Sequence, residues 1–138
     1  MAGSKSDFLE NKINDHVLGN TAYTAPATVY VALFTDSNTP TQRDANTVTE
    51  ATGGSYARVA VTNNTTNWPA STAGAKSNGT TITFPTSTAS WGTVNAFGIY
   101  DAATVGNLLY WGDLVTPQTV ASGNTLSFAP STLTITED

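Results

Sequence analysis

Apolar side chains recur along this chain in two periods, and the switch between them divides it. Over residues 4–18, Leu9, Ile13 and Val17 repeat every four residues, with Phe8 and Leu18 beside them and charges on the other side. That spacing is one face of an α-helix. Ser4 or Ser6 can cap its start, Asp7 three residues after Ser4 suits a capping box, and Gly19 is placed to stop it. Such a stripe packs either on the domain's own core or on a neighbouring subunit.

Beyond residue 27 the period is two. Thr28 to Phe34 (TVYVALF) alternates Val29, Val31 and Leu33 with Tyr30, Ala32 and Phe34, so both faces of this strand are apolar and both need cover. Tyr56 to Thr62, Thr80 to Phe84, Gly92 to Tyr100, Leu108 to Val115 and Thr125 to Phe128 read as further strands, and Leu133 and Ile135 mark a last one. Asp101 to Asn107 is a turn, with Gly106 free to take a positive φ, so the strands on either side form a hairpin. Two long polar stretches, residues 36–55 and 63–79, interrupt the pattern and read as loops; long loops in compact domains commonly carry contacts. Trp68 sits alone in the second, and either folds back on the domain or meets another subunit.

Short strands with frequent turns predict a mainly β fold: an antiparallel β-sandwich or jelly-roll-like domain with one N-terminal α-helix, spanning residues 1–138 as one unit. The expected core is Val29, Val31, Leu33, Val59, Val61, Ile82, Phe84, Phe97, Ile99, Leu109, Leu114, Phe128, Leu133 and Ile135.

Composition changes the picture at three points. Charged residues are 11% of the chain, against roughly 25% in ordinary soluble domains. Thr, at 26 residues, fills much of the gap, and a β-branched hydroxyl residue suits a pleated, water-facing surface. The net charge is −5 and no Lys or Arg follows Lys76, so neither a nucleic-acid groove nor a polybasic membrane contact is expected. There is no cysteine, which removes disulfides and thiolate metal sites. The first fifteen residues carry five charges and no apolar run, so a secretory leader is not expected either.

Candidate chemistry is sparse. His16 is the sole histidine, so a nucleophile–histidine pair has no second histidine or cysteine to draw on. Asp101 and Asp113 flank the hairpin and are the best available carboxylate pair, but Asp101 is better explained as a turn former. Asp36, Asp44 and Glu50 share a loop without the spacing of a known calcium loop. The sequons at Asn63, Asn64 and Asn78 are expected by chance in a chain rich in Asn and Thr. Trp91, Phe97, Tyr100, Tyr110 and Trp111 cluster in the hairpin; alternation sends them to both faces, which favours a core over a flat glycan platform. No catalytic, cofactor-binding or metal residue is assigned, no cofactor is expected, and the chain is read as not an enzyme.

The segments SDFLENKINDHVLGNTAYTAPATVYVALFT, GGSYARVAVT, ITFPTSTASWGTVNAFGIYDAATVGNLLYWGDL and TVASGNTLSFAPSTLTIT resemble short tailed-bacteriophage structural proteins of the tail-fibre or head-decoration kind. The resemblance covers nearly the whole chain and is weakest in the two long loops. It implies a virion role and carries over no catalytic residues. It also resolves a tension in the composition: a surface suited to the outside without an export signal fits a protein made in the host cytoplasm and exposed on the particle exterior. The expected function is a capsid decoration (cement) or fibre-type protein that stabilises the particle through subunit contacts, as a homotrimer; the alternative is a tail-fibre or tail-tip adhesin binding a host-surface glycan. The expected partners are other copies of the chain and the major capsid protein or tail proteins, with no nucleic acid and no membrane. Phe8, Leu9, Ile13, Val17, Arg43, Trp68 and Trp111 are the candidate interface residues.

Overall fold

The computed structural model describes residues 3–35 and 40–137. At its centre is a five-stranded antiparallel sheet in the order β1-β7-β6-β2-β3, built from β1 (Gly3–Lys5), β2 (Thr28–Phe34), β3 (Val59–Thr62), β6 (Gly92–Tyr100) and β7 (Leu108–Val120). Two antiparallel ribbons accompany it: β4 (Ala75–Ser77) with β9 (Thr134–Thr136), and β5 (Ile82–Thr83) with β8 (Ser127–Phe128). The helix α1 (Asp7–Leu18) stands at the N-terminal edge, and a single turn, α2 (Pro40–Asp44), lies in the first long connection.

β2 is apolar on both sides because it is covered on both sides. Val29, Val31 and Leu33 join Phe97, Ile99 and Leu109 in the larger core, beneath Ile82, Phe84, Phe128, Leu133 and Ile135 of the ribbons. Ala32 and Phe34 face the other way, with Ala96, Tyr100, Leu108 and Trp111. Irregular pairing makes this possible in β6 and β7. Val94 pairs with Gln118 but Ala96 pairs with Asp113, so one residue of β6 opposes four of β7. A second shift between Ile99 and Tyr100 leaves Leu109 unpaired, so Leu108 and Trp111 share a face although three apart. Bulges of this kind re-aim side chains without ending the ladder.

The rings of the larger core form a chain. Trp91 meets Tyr56 edge-on at 5.3 Å, Tyr56 stacks on Phe84 at 6.3 Å, and Phe84 and Phe97 each meet Phe128 edge-on, at 6.3 and 6.1 Å. Edge-to-face and offset contacts at these separations are the favoured ring geometries.

The mainly β, antiparallel fold with one main helix near the N-terminus agrees with the sequence reading. Ser6 as the helix cap agrees as well, while other details differ. The helix begins at Asp7, not residue 4, because Gly3–Lys5 pair with Gly112, Trp111 and Tyr110 of β7. Its cap is Ser6, whose Oγ accepts from the Leu9 N–H at 3.3 Å and donates to the Leu108 carbonyl, fastening the helix to the sheet. At the other end Gly19 keeps a right-handed φ of −114° and Asn20 takes the left-handed turn at +52°. The stretches 36–55 and 63–79 also hold α2 and β4, which the polar pattern hid. Of the expected core, Val59 and Leu114 are only half-buried; both still pack against the larger cluster.

Candidate interaction surface

The seven residues expected at an interface separate into two groups. Leu9, Arg43, Trp68 and Trp111 are buried inside the chain itself. Phe8 is half-buried, while Ile13 is 37% and Val17 69% exposed. The inner group is therefore spent on the fold, and the helix stripe alone reaches the surface.

Trp111 and Arg43 meet on the smaller core. The Arg43 guanidinium lies 5.1 Å from the Trp111 ring centre and pairs with the Asp113 carboxylate. Trp111 Nε1–H donates to Asp44 Oδ1 at 2.7 Å, and Tyr100 Oη–H to Asn46 Oδ1 at 2.8 Å. The short turn α2 is thus a polar lid over the second face of the sheet. A cation over an indole face is stabilised by the ring's quadrupole, more so when partly desolvated.

A second cation fastens the hairpin. Arg58 binds Glu50 through both carboxylate oxygens, at 2.9 and 2.8 Å, and donates to the carbonyls of Ala102 and Val105. Its guanidinium also lies 3.6 Å from the Tyr100 ring centre. Glu50 Oε1 accepts from Tyr56 Oη–H at 2.7 Å, and Tyr56 Oη accepts from the Leu33 N–H. Burial opposes the charge on Arg58, but the hydrogen bond and charge of Glu50 outweigh it and raise its pKa. Burial first, then the Glu50 charge, pushes the Tyr56 hydroxyl up; burial pushes Tyr100 up to about 12.

These contacts account for most carboxylates singled out in the sequence. Asp101 accepts from the backbone and side-chain N–H groups of Asn107, closing its turn. Asp113 lies opposite Ala96, five residues along β6 from Asp101, which is about 16 Å at strand spacing. Carboxyl pairs that cleave glycosides stand ~5–9.5 Å apart. Of the three acids weighed for calcium, Asp44 holds Trp111, Glu50 holds Arg58, and Asp36 lies outside the described residues. Among the described residues no group of three or more His, Asp or Glu is placed to hold a metal ion. His16 Nδ1 accepts from the Tyr23 N–H at 3.3 Å, tying the chain after α1 back to the helix. Among the described residues no aromatic side chain is fully exposed.

Among the described residues, large apolar side chains face water at three places: Val105 alone on the hairpin turn, 85% exposed, and two larger sites. One is the wide bulge of β7 at Leu114–Pro117, where Val115 is 80% exposed. The other is α1. Every residue from Asn11 to Ala22 is exposed, so two turns of helix project from the body; Val17 and Leu18 are largely uncovered, while Ile13, 37% exposed, turns toward the groove below. Beneath this arm runs an apolar groove of about 320 Å³, walled by Ile13, Tyr23, Ala25, Pro26, Trp68 and Ile135, with Lys76 also in its lining. The signal for the arm was legible as the Leu9–Ile13–Val17 stripe; the groove was not, because it joins residues from opposite ends of the chain.

The described residues thus form a β-rich domain whose buried charges serve its own fold, with apolar side chains exposed on an arm, a bulge and the hairpin turn and lining a groove. No curated protein matches the chain. The chain belongs to the family of the Podophage GP4 fiber I protein gp80, whose family model matches residues 4–136. That family consists of tailed-phage fibre proteins, which makes this chain a structural virion component and agrees with the resemblance read from the sequence.

Proposed function

We propose that the chain is a fibre-type building block on the exterior of a tailed-phage particle, self-assembled as a homotrimer and attached to tail or capsid proteins. The observation that carries this reading is the family match across 4–136, which takes in the whole β domain and the α1 arm together. Three features support it. The low charge and high threonine content suit a surface that meets the medium outside a cell. The two carboxylates weighed as a reactive pair are otherwise engaged, Asp113 with Arg43 and Asp101 in closing a turn. The exposed apolar side chains of α1 suit contact with protein. A fibre acts by holding position, and multivalent display converts weak single contacts into firm attachment.

Immunogold labelling of purified particles with antibody against this chain, with copies counted per particle, tests the reading. Label confined to fibres in small, fixed number is expected. Label spread evenly over the head shell would replace the fibre role with a decoration role, and particles without label would end the proposal.

A further inference from the structure

We propose that the α1 arm of one copy docks into the apolar groove beside α1 of a second copy of this chain, so that one helix seam joins neighbouring subunits. The proposal rests on the fibre reading for the premise that copies assemble; it names the surface by which they do so.

The arm itself calls for a partner. Only Leu9 of α1 is buried, and the helix ends in Val17 and Leu18, 69% and 86% exposed. Isolated helices shorter than ~12–15 residues are marginal in water, and helices in proteins hold mainly by packing an apolar face. A helix end with two largely uncovered aliphatic side chains, Val17 and Leu18, is half of a packing arrangement.

Charge complementarity identifies the occupant. At 100° per residue Glu10 lies on the same side of α1 as Val17, two turns earlier, and Asp7 and Asn14 flank that side. The outward face of the arm is therefore apolar at its tip and acidic toward its base. Lys12, the helix's one lysine, lies over the Phe8 ring on another side. The groove offers the counterpart: an apolar wall and one charged residue, Lys76. Lys76 donates to the Pro69 carbonyl at 2.9 Å and, among the described residues, has no carboxylate within ion-pair distance. Lys5, Arg43 and Arg58 already hold acids of their own. A helix face aliphatic at its tip and acidic toward its base fits an aliphatic groove whose one lysine has no carboxylate partner among the described residues, and this chain supplies both.

Arm tip and groove are different patches, so the contact is heterologous, and heterologous contacts close into rings when the rotation permits. That is the arrangement a homotrimer needs.

The absence of cysteine makes the test clean, because every thiol present will be one introduced. Two single-cysteine chains, Leu18→Cys and an affinity-tagged Ala25→Cys, are mixed, allowed to exchange and oxidised mildly. Leu18 is on the arm tip and Ala25 is an exposed groove residue, so neither substitution disturbs the core. The expected product is a disulfide-linked 18–25 pair in at least several-fold higher yield than the pair formed when Val115→Cys replaces Leu18→Cys. Adding Val17→Asp to the arm chain should reduce the yield to that control level while leaving its far-ultraviolet spectrum unchanged. Lys76→Glu in the groove chain should lower it, and Glu10→Lys in the arm chain should restore it. Equal yields for 18–25 and 115–25, or a yield indifferent to Val17→Asp, would overturn the proposal. Either result leaves the particle labelling, and with it the fibre reading, to stand or fall separately.

Discussion

Two backbone positions show how individual residues are constrained by the sheet. Gly98 sits mid-strand in β6, between Ala32 and Trp111, and a Cβ there would collide with the Phe34 ring and approach Leu108 Cδ1 at 2.9 Å. Neither neighbour can retreat, since both are fully buried. Gly98→Ala is expected to destabilise the fold by about 1–3 kcal/mol, the usual cost of overpacking, read as a lowered denaturant midpoint with unchanged slope. Val105 carries the opposite lesson. It takes φ +55° at the hairpin turn, a region costly for a β-branched residue, and is 85% exposed. Its side chain gains little there, while its carbonyl accepts from Arg58. Val105→Asn should raise stability by about 0.5–1 kcal/mol, because Asn tolerates the left-handed region; an unchanged or lowered midpoint would mean the strain is not relieved.

Among the elements, the strands show what was legible from pattern alone. β2 and β6 fall at Thr28–Phe34 and Gly92–Tyr100, where alternation put them, because long runs of Val, Ile and aromatic residues leave no competing period. β1, β4 and α2 escaped notice for a shared reason. GSK, AKS and PTQRD contain no apolar alternation, and each forms through pairing or contact with residues far along the chain. The faces of β7 were also hidden, since its bulges break the alternation that assigns them. Arg43 illustrates the cost to the site reading: a lone basic residue in a polar loop suggests the surface, yet it is 4% exposed and packed on Trp111. Removing its partner tests this lid. Asp113→Ala should cost about 1–3 kcal/mol by leaving a buried guanidinium unpaired, a cost kept moderate because Asp113 itself is half exposed. Arg43→Met, which keeps the ring contact and removes the charge, should cost less. The reverse order would refute the lid as described.

For the molecule as a whole, the same packing sets a limit at alkaline pH. Tyr23, Tyr56, Tyr100 and Tyr110 all have raised pKa values, in each case chiefly through burial, with Tyr100 at about 12. A folded-state pKa above the unfolded value means the folded chain holds its protons longer. The stabilisation is complete below about pH 10, where the unfolded phenols are still neutral, and is lost as pH rises from about 10 through 12. Thermal midpoints should therefore be level on the neutral side of pH 10 and fall steeply beyond it; a level profile to pH 12 would mean the rings are not buried as described. With its core rings buried and three of its five Lys and Arg residues paired internally, the chain is proposed to act through the arm, the groove and the bulge, that is, by association. The mass of the purified chain in solution tests that most directly, by sedimentation velocity across a wide concentration range. The account predicts a discrete assembly at three times the 14.3 kDa of one chain. A single species of 14.3 kDa at every concentration would contradict it.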